Sequence, residues 1–379
     1  MVSRTETAVR EATADKGMDE TDLETMKIVK EQFLAVEAAE VKEISERSKQ
    51  IKFKTHIVWR NVMLFAALHV ASLVGLYQFI FLAKWPTLLW YCICWLMGVM
   101  GITAGAHRLW SHRSYKAKWP ARLFLMFCNS MAFQASIPLH NIFFAFSLTN
   151  ARISLNNDVI EWARDHRCHH KWTDTDADPH NTTRQGFSVS FFHHINDRGM
   201  FFAHMGWLMV RKHPEVKRKG AQLDLSDLFN DPILAFQRRH YLKLVLFAWF
   251  VVPTFVPVYF WGESFKIAVY TCTLLRYCTT LHGTWLINSL AHKYGFKPYN
   301  PNITPVDSFV LAVSAMGEGG HNYHHTFPQD YRTSEYVLHF NVTKIFIDIL
   351  FFLGLAYDMK VVPQKIIERQ KAKYAVKCD

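Results

Sequence analysis

Three short words in the chain concentrate histidine: HRLWSH with His107 and His112, HRCHH with His166, His169 and His170, and HNYHH with His321, His324 and His325. A neutral imidazole costs free energy to bury unpaired, so this many beside long apolar stretches need a common partner, and a metal ion accepts several lone pairs at once. On a helix, positions i, i+3 and i+4 lie on one face, while adjacent positions diverge by about 100°. One HxxHH triplet can therefore serve two ions. His107 and His112 are five apart, which on a regular helix points them to different sides, so either the helix ends between them or they too are shared between ions. Imidazole suits iron, copper, nickel and zinc alike. Structural zinc is typically closed by four ligands, often cysteines, and only Cys168 lies near one of the words. Eight histidines are enough for two ions. Catalytic zinc with Glu161 or Asp165 as a base is one reading; a redox pair of irons better explains why the words sit against spans that could hold a hydrocarbon.

The elements that must position these groups are apolar. Half of the 379 residues are hydrophobic and 15% are aromatic, which fits a membrane protein better than an ordinary soluble domain. Runs 61–82 and 87–107 are long enough to cross a bilayer and contain no Asp, Glu, Lys or Arg. Runs 244–261 and 265–291 form a second pair, the last interrupted by Lys266 and Arg276. Buried core helices are the alternative, but four such runs arranged as two hairpins are hard to fit inside one soluble core. The turns within the hairpins, near Lys84 to Pro86 and Gly262 to Ser264, are short, and nearly all the Lys and Arg lie outside them. The positive-inside rule then puts both termini and the long middle segment in the cytosol. The expected fold is an all-α membrane protein, four transmembrane helices in two hairpins under a cytosolic, histidine-rich helical cap.

The net charge of +11 sits on that cap, where a membrane surface or an anionic substrate would suit it; nucleic acid is not an expected partner. Seven cysteines without a CxxC pair argue for a reducing compartment. The N-terminus has no apolar core behind a basic start, so no secretory signal peptide is expected, and residues 1–52 read as a mobile cytosolic arm with some helical content after Asp22.

The boxes HRLWSH, DHRCHH and HNYHH stand together with the words NDVIEWARDH, TDADPHN, GWLMVRKHP, NSLAH and GEGGHNYHHTFPQDYR. In this combination the chain resembles the membrane acyl-CoA desaturases of the stearoyl-CoA desaturase family, most closely its insect branch of delta-9/delta-11 type. The resemblance covers Phe53 to Met359, leaving 360–379 as a cytosolic tail. It implies an oxygen-dependent enzyme of the endoplasmic reticulum membrane that introduces a cis double bond, most simply at carbon nine, into a saturated fatty acyl-CoA. It also implies two ferrous ions and electrons from cytochrome b5 with its NADH-dependent reductase. Carried over residue by residue, the implied ligands are His107, His112, His166, His169, His170, His292, His321, His324 and His325, with Asn288 acting through water. His292 is one that box counting alone misses. Arg60, Asn61, Arg164, Asp165, Arg211 and Lys212 match positions that contact coenzyme A, and the basic ones suit its phosphates. Their alternative role is that of interfacial snorkelling cations. Trp162 and Trp285 resemble tunnel-lining residues, and Trp95 and Val99 stand where the family closes the tunnel floor.

Two inserts depart from the family pattern, 135–156 and 185–198. Surface insertions cost little loop entropy, but the first enters a helix expected to lead straight into His166, and its apolar IFFAFSL would seek a membrane interface. His140, His193 and His194 lie within the inserts and are not counted as ligands. The alternatives are a related di-iron fatty-acyl hydroxylase, which would share eight histidines and make an alcohol, and a catalytically impaired desaturase-like protein.

Overall fold

The computed structural model describes residues 38–51, 53, 55–134, 158–184, 198–335 and 340–375. Both inserts, apart from Arg198, and most of the N-terminal arm lie outside them.

Three helices among the described residues are long and apolar enough to cross a membrane: α2 (Trp59–Phe81), α3 (Trp85–Ser111) and α8 (Pro232–Trp261). They are preceded by α1 (Ala38–Gln50) and separated by α4 (Trp119–Ala132), α5 (Val159–Lys171), α6 (Arg198–His204) and α7 (Pro214–Gly220). The first run begins its helix two residues earlier than expected and the second extends four residues further, through HRLWS. The third gains a polar first half, with a kink at His240, where φ is −112° and ψ 16°. The fourth run is helical as Phe265–Ala268, Val269–Leu275 and Arg276–Ser289, together α9, but Lys266, Arg276, His282 and several threonines leave it less apolar than the other three. Arg276 is buried and donates to the carbonyls of Cys272 at 2.8 Å and Met131 at 3.2 Å, so its charge is turned into the bundle and not towards lipid.

The sides of these helices differ sharply. On α2, Met63, Val70, Leu73 and Phe81 are each about two-thirds exposed, while Phe65, Ser72 and Gly75 face inward. Large apolar side chains left outside along a whole helix mark a surface for lipid. Gly75 permits the contact with α9, because a Cβ there would lie 2.2 Å from the Tyr270 carbonyl oxygen. At the far end the two hairpin turns meet. The Lys84 amide and the Thr87 hydroxyl both donate to Glu263 Oε2, at 2.9 and 2.6 Å. Trp261 Nε1 donates to Thr87, and Lys84 Nζ to the carbonyls of Trp261 and Gly262.

At the opposite end α10 (Phe309–Ser314), α11 (His321–Thr326), α12 (Val342–Phe352) and α13 (Gln364–Ala375) complete the cap with α4 to α7. The one small sheet among the described residues pairs Lys116–Ala117 with Ala356–Tyr357, antiparallel. A core of Leu109, Trp110, Leu125, Ile160, Leu234 and Ile347 joins α3, α4, α5, α8 and α12. Helix α1 docks behind α5: Ile44 packs with Cys168 and Trp172, and Glu40 accepts from Lys219 and from Trp172 Nε1. The flanks of the first insert are stitched side by side, since Gln237 accepts from the Val159 amide and donates to Ser130.

Candidate metal centre

The histidines converge from four elements: the end of α3, α5, the turn after α9, and α11. Donor nitrogens of His107, His112, His166, His170 and His324 form one group, and those of His169, His292, His321 and His325 a second, each within 4.8 Å. In both triplets the i and i+4 members enter one group and the i+3 member the other, as the helical spacing requires. His107 and His112 behave otherwise. The helix neither ends between them nor divides them, because Gly101–Ser111 is a π-helix. Its i→i+5 bonds, such as the His112 amide to the His107 carbonyl at 3.1 Å, stack positions five apart and bring the two rings to 4.9 Å.

Within the first group, Nε2 of His107 and His324 approach to 2.8 Å, as do those of His112 and His166. In the second, His321 Nε2 lies 3.1 Å from His292 and 3.2 Å from His325. The groups abut where His170 stacks on His325 at 4.0 Å. Surrounding acceptors decide three tautomers. His107 Nδ1 is 3.1 Å from Glu318, and His169 Nδ1 is 2.9 Å from Asp178. The Thr304 hydroxyl donates to Asp174 at 2.5 Å and so accepts from His292 Nδ1 at 2.8 Å. Each of these rings therefore spends its proton outward and turns the Nε2 lone pair into its group. His169 Nε2 and His170 Nε2 are buried and have no hydrogen-bond partner among the described residues. Burial first, and then the neighbouring imidazoles, hold His166, His170, His324 and His325 well below the usual histidine range. Neutral imidazoles with inward lone pairs, two of them orphaned, fit a pair of transition-metal ions.

The supports were not visible as motif residues. Glu318 joins His107 to buried Arg108, whose Nη2 donates to it at 2.7 Å. Although burial pushes the Glu318 carboxyl upward, Arg108 and His107 bring it down to about 2. Arg167, inside the second box, donates to the carbonyls of Ser111 and Trp110 at 3.1 and 2.9 Å and pairs with Asp227 at 2.7 Å, closing the carbonyl end of α3. His180 was likewise missed; it is buried with its ring 5.4 Å from that of His169. The only sequence signal for Asp178 and Glu318 was their place inside TDADPHN and GEGGHNYHH.

Two cavities reach this centre. The larger is lined by Asn61, Phe65, Asp165, Lys212, Leu281 and Trp285. The other is lined by Trp95 and Val99 and touches His107 and His321. Trp162, His166, Thr284 and Asn288 line both, so the two meet beside the histidines.

No protein-family model matches the chain. Curated proteins do. Over 348 residues, 92% of this chain and 91% of the relative, it is 55% identical to the Delta(9)-fatty-acid desaturase fat-6 of Caenorhabditis elegans. It is 48% identical to human stearoyl-CoA desaturase, with 83% and 77% of the two chains covered, and 48% identical to the Acyl-CoA Delta12-desaturase of Acheta domesticus, with 83% and 79% covered. The chain belongs to the acyl-CoA desaturase family.

In this desaturase the structure gathers all nine implied histidines into the two groups, and it places Asn288, Trp162, Trp285, Trp95 and Val99 on cavity walls. Among the residues matched to coenzyme A contacts it separates two kinds. Asn61, Asp165 and Lys212 line the wider cavity. Arg60 and Arg211 are exposed outside its lining, and Arg164 is turned to Asp165 at 2.9 Å and to Glu161 at 2.5 Å. Asp165 is also paired with Lys212; partial burial pushes its carboxyl up, but Lys212 and Arg164 together hold it below the usual range.

Proposed function

We propose that this desaturase places a cis double bond at carbon nine of a saturated fatty acyl-CoA, using two irons held by the nine histidines, O2, and electrons from cytochrome b5 and its NADH-dependent reductase. The single observation that carries the reading is the meeting of a polar-mouthed cavity and an apolar one beside two histidine groups whose lone pairs face inward. When bound, the irons supply the oxygen-activating, hydrogen-abstracting chemistry that no side chain provides. The chain's own residues do the rest. Lys212, with the exposed Arg60 and Arg211 near the mouth, meets the phosphates of coenzyme A, and Asn61 and Asp165 orient its polar end. The hydrocarbon passes Trp162 and Trp285 and stops at Trp95 and Val99, so that distance along the chain selects the methylene presented to the metals. Asn288, on the wall shared by the two cavities, would hold one ion through water. The apolar walls exclude bulk water from the reacting segment.

We place the enzyme in the endoplasmic reticulum membrane with four spans, α9 being the fourth, and with both termini and the cap cytosolic. The joined hairpin turns and the buried Arg276 support this arrangement. The position at carbon nine is supported by the Delta(9) names of the nematode relatives. Expression in a yeast lacking its own acyl desaturase, with and without 135–156 and 185–198, tests the whole reading. Growth and mass spectrometry are expected to show a carbon-nine alkene. A hydroxylated product, or no product with or without the inserts, would overturn it.

A further inference from the structure

Away from the nine histidines a second set of ring nitrogens faces inward inside the helical bundle. His69 lies ten residues into α2, roughly 15 Å along its axis from Trp59. Polar groups at that depth of an apolar helix are costly unless they share a partner. Their proton positions follow from the acceptors around them. His69 Nδ1 is 2.6 Å from the Phe65 carbonyl, which can only accept, so His69 Nε2 is bare. The Ser289 hydroxyl donates to the Trp285 carbonyl at 2.8 Å, so His204 Nδ1, 2.9 Å away, must donate to Ser289. Neutral His204 then accepts on Nε2 from His282 Nδ1 at 3.0 Å, and His282 Nε2 is bare as well. Two lone pairs thus confront each other across 3.0 Å between His69 and His282. That spacing matches the 2.8 to 3.2 Å between Nε2 atoms in the two histidine groups already described.

Lone pairs so placed repel unless a cation lies between them. Cys278 Sγ completes a set with the two imidazoles within 4.8 Å. Cys278 and His282 are i and i+4 on α9, one above the other, and His69 faces them from α2. A tetrahedral zinc ion holds nitrogen donors roughly 3.3 Å apart, close to the 3.0 Å between the two Nε2 atoms, and Cys278 Sγ lies within 4.8 Å of both. Each imidazole already has the outward hydrogen bond that metal-bound histidines use, to a carbonyl for His69 and to His204 for His282. We propose that His69, Cys278 and His282 form a separate mononuclear site for zinc, with water in the fourth position, that clamps α2 to α9. The site is independent of the double-bond position and of the nine-histidine ligand set. It backs the wider cavity, for Phe65 and Trp285 line that cavity and meet edge to face at 5.5 Å, with His282 packed on Trp285 at 5.0 Å.

Full-length protein purified in detergent from zinc- and iron-supplemented cells tests this by metal analysis and by X-ray absorption at the zinc edge. The unaltered chain is expected to carry about one zinc with one sulfur near ~2.3 Å and nitrogens near ~2.0 Å. Cys278→Ala and His282→Asn are each expected to lose that zinc and keep their iron, which reports that they fold. Zinc surrounded by nitrogen alone would mean misloading of the nine-histidine centre and would overturn the site. So would no zinc above background, retention of zinc by both variants, or copper bound in its place. The absorption measurement needs no variant, and iron content and lipid products report on the desaturase reading separately.

Discussion

A neutral imidazole has one proton and one lone pair, and the atom that takes the proton decides whether the ring can hold a metal. Here Glu318, Asp178 and Thr304 take it. Glu318→Gln leaves buried Arg108 without its countercharge and weakens the orientation of His107. Iron retention is expected to fall about 10- to 100-fold, with product formation falling alongside, measured by metal analysis and lipid analysis of the same preparation. The depressed pKa values of His166, His170, His324 and His325 have a second effect. Below the unfolded value of about 6.5 the unfolded chain binds protons that the folded chain refuses, so stability falls as pH drops. The thermal midpoint of metal-stripped protein is expected to decrease steadily from pH 7 to pH 5 in a fluorescence melt. A midpoint that is flat or rises on acidification would show that these rings are not buried neutral. The six histidines of the two HxxHH triplets were legible because i, i+3, i+4 spacing is local, whereas His292, alone in its stretch, entered only through the family resemblance. Their supports were not, because Arg108 and Glu318 are 210 positions apart and meet only through the fold.

Among the elements, α2 and α3 were legible because nothing charged interrupts the runs 61–82 and 87–107 that form most of them. Helix α9 was less so, since Arg276 reads as a break until its carbonyl partners are known. The π-helix was invisible: no pattern of residue types marks an i→i+5 register, and the five-residue spacing of His107 and His112 was its only trace. That register gives a sharp expectation. One alanine inserted between Arg108 and Leu109 keeps every side chain but turns His112 away from His107. Bound iron is expected to drop by at least half and product to disappear, whereas the same insertion after Lys118, ahead of α4, is expected to preserve far more of both. Equal losses from the two insertions would argue that the π-turn is incidental to the site.

At the scale of the whole molecule, one bundle carries two cavities that meet at the histidines, and Trp95 and Val99 line the smaller of them. Trp95→Ala lengthens the narrower cavity and is expected to shift the product profile of the yeast strain towards longer acyl chains, with the double bond counted from the thioester unchanged. An unaltered profile would place the end of the channel elsewhere. The knot of Lys84, Thr87, Trp261 and Glu263 bears on how such a product leaves. Tongs riveted at the handle spread only at the jaws. With the two turns fastened, a parting of the hairpins would pivot about Glu263 and be widest beside the cap, which is the end where a kinked hydrocarbon would find room to leave.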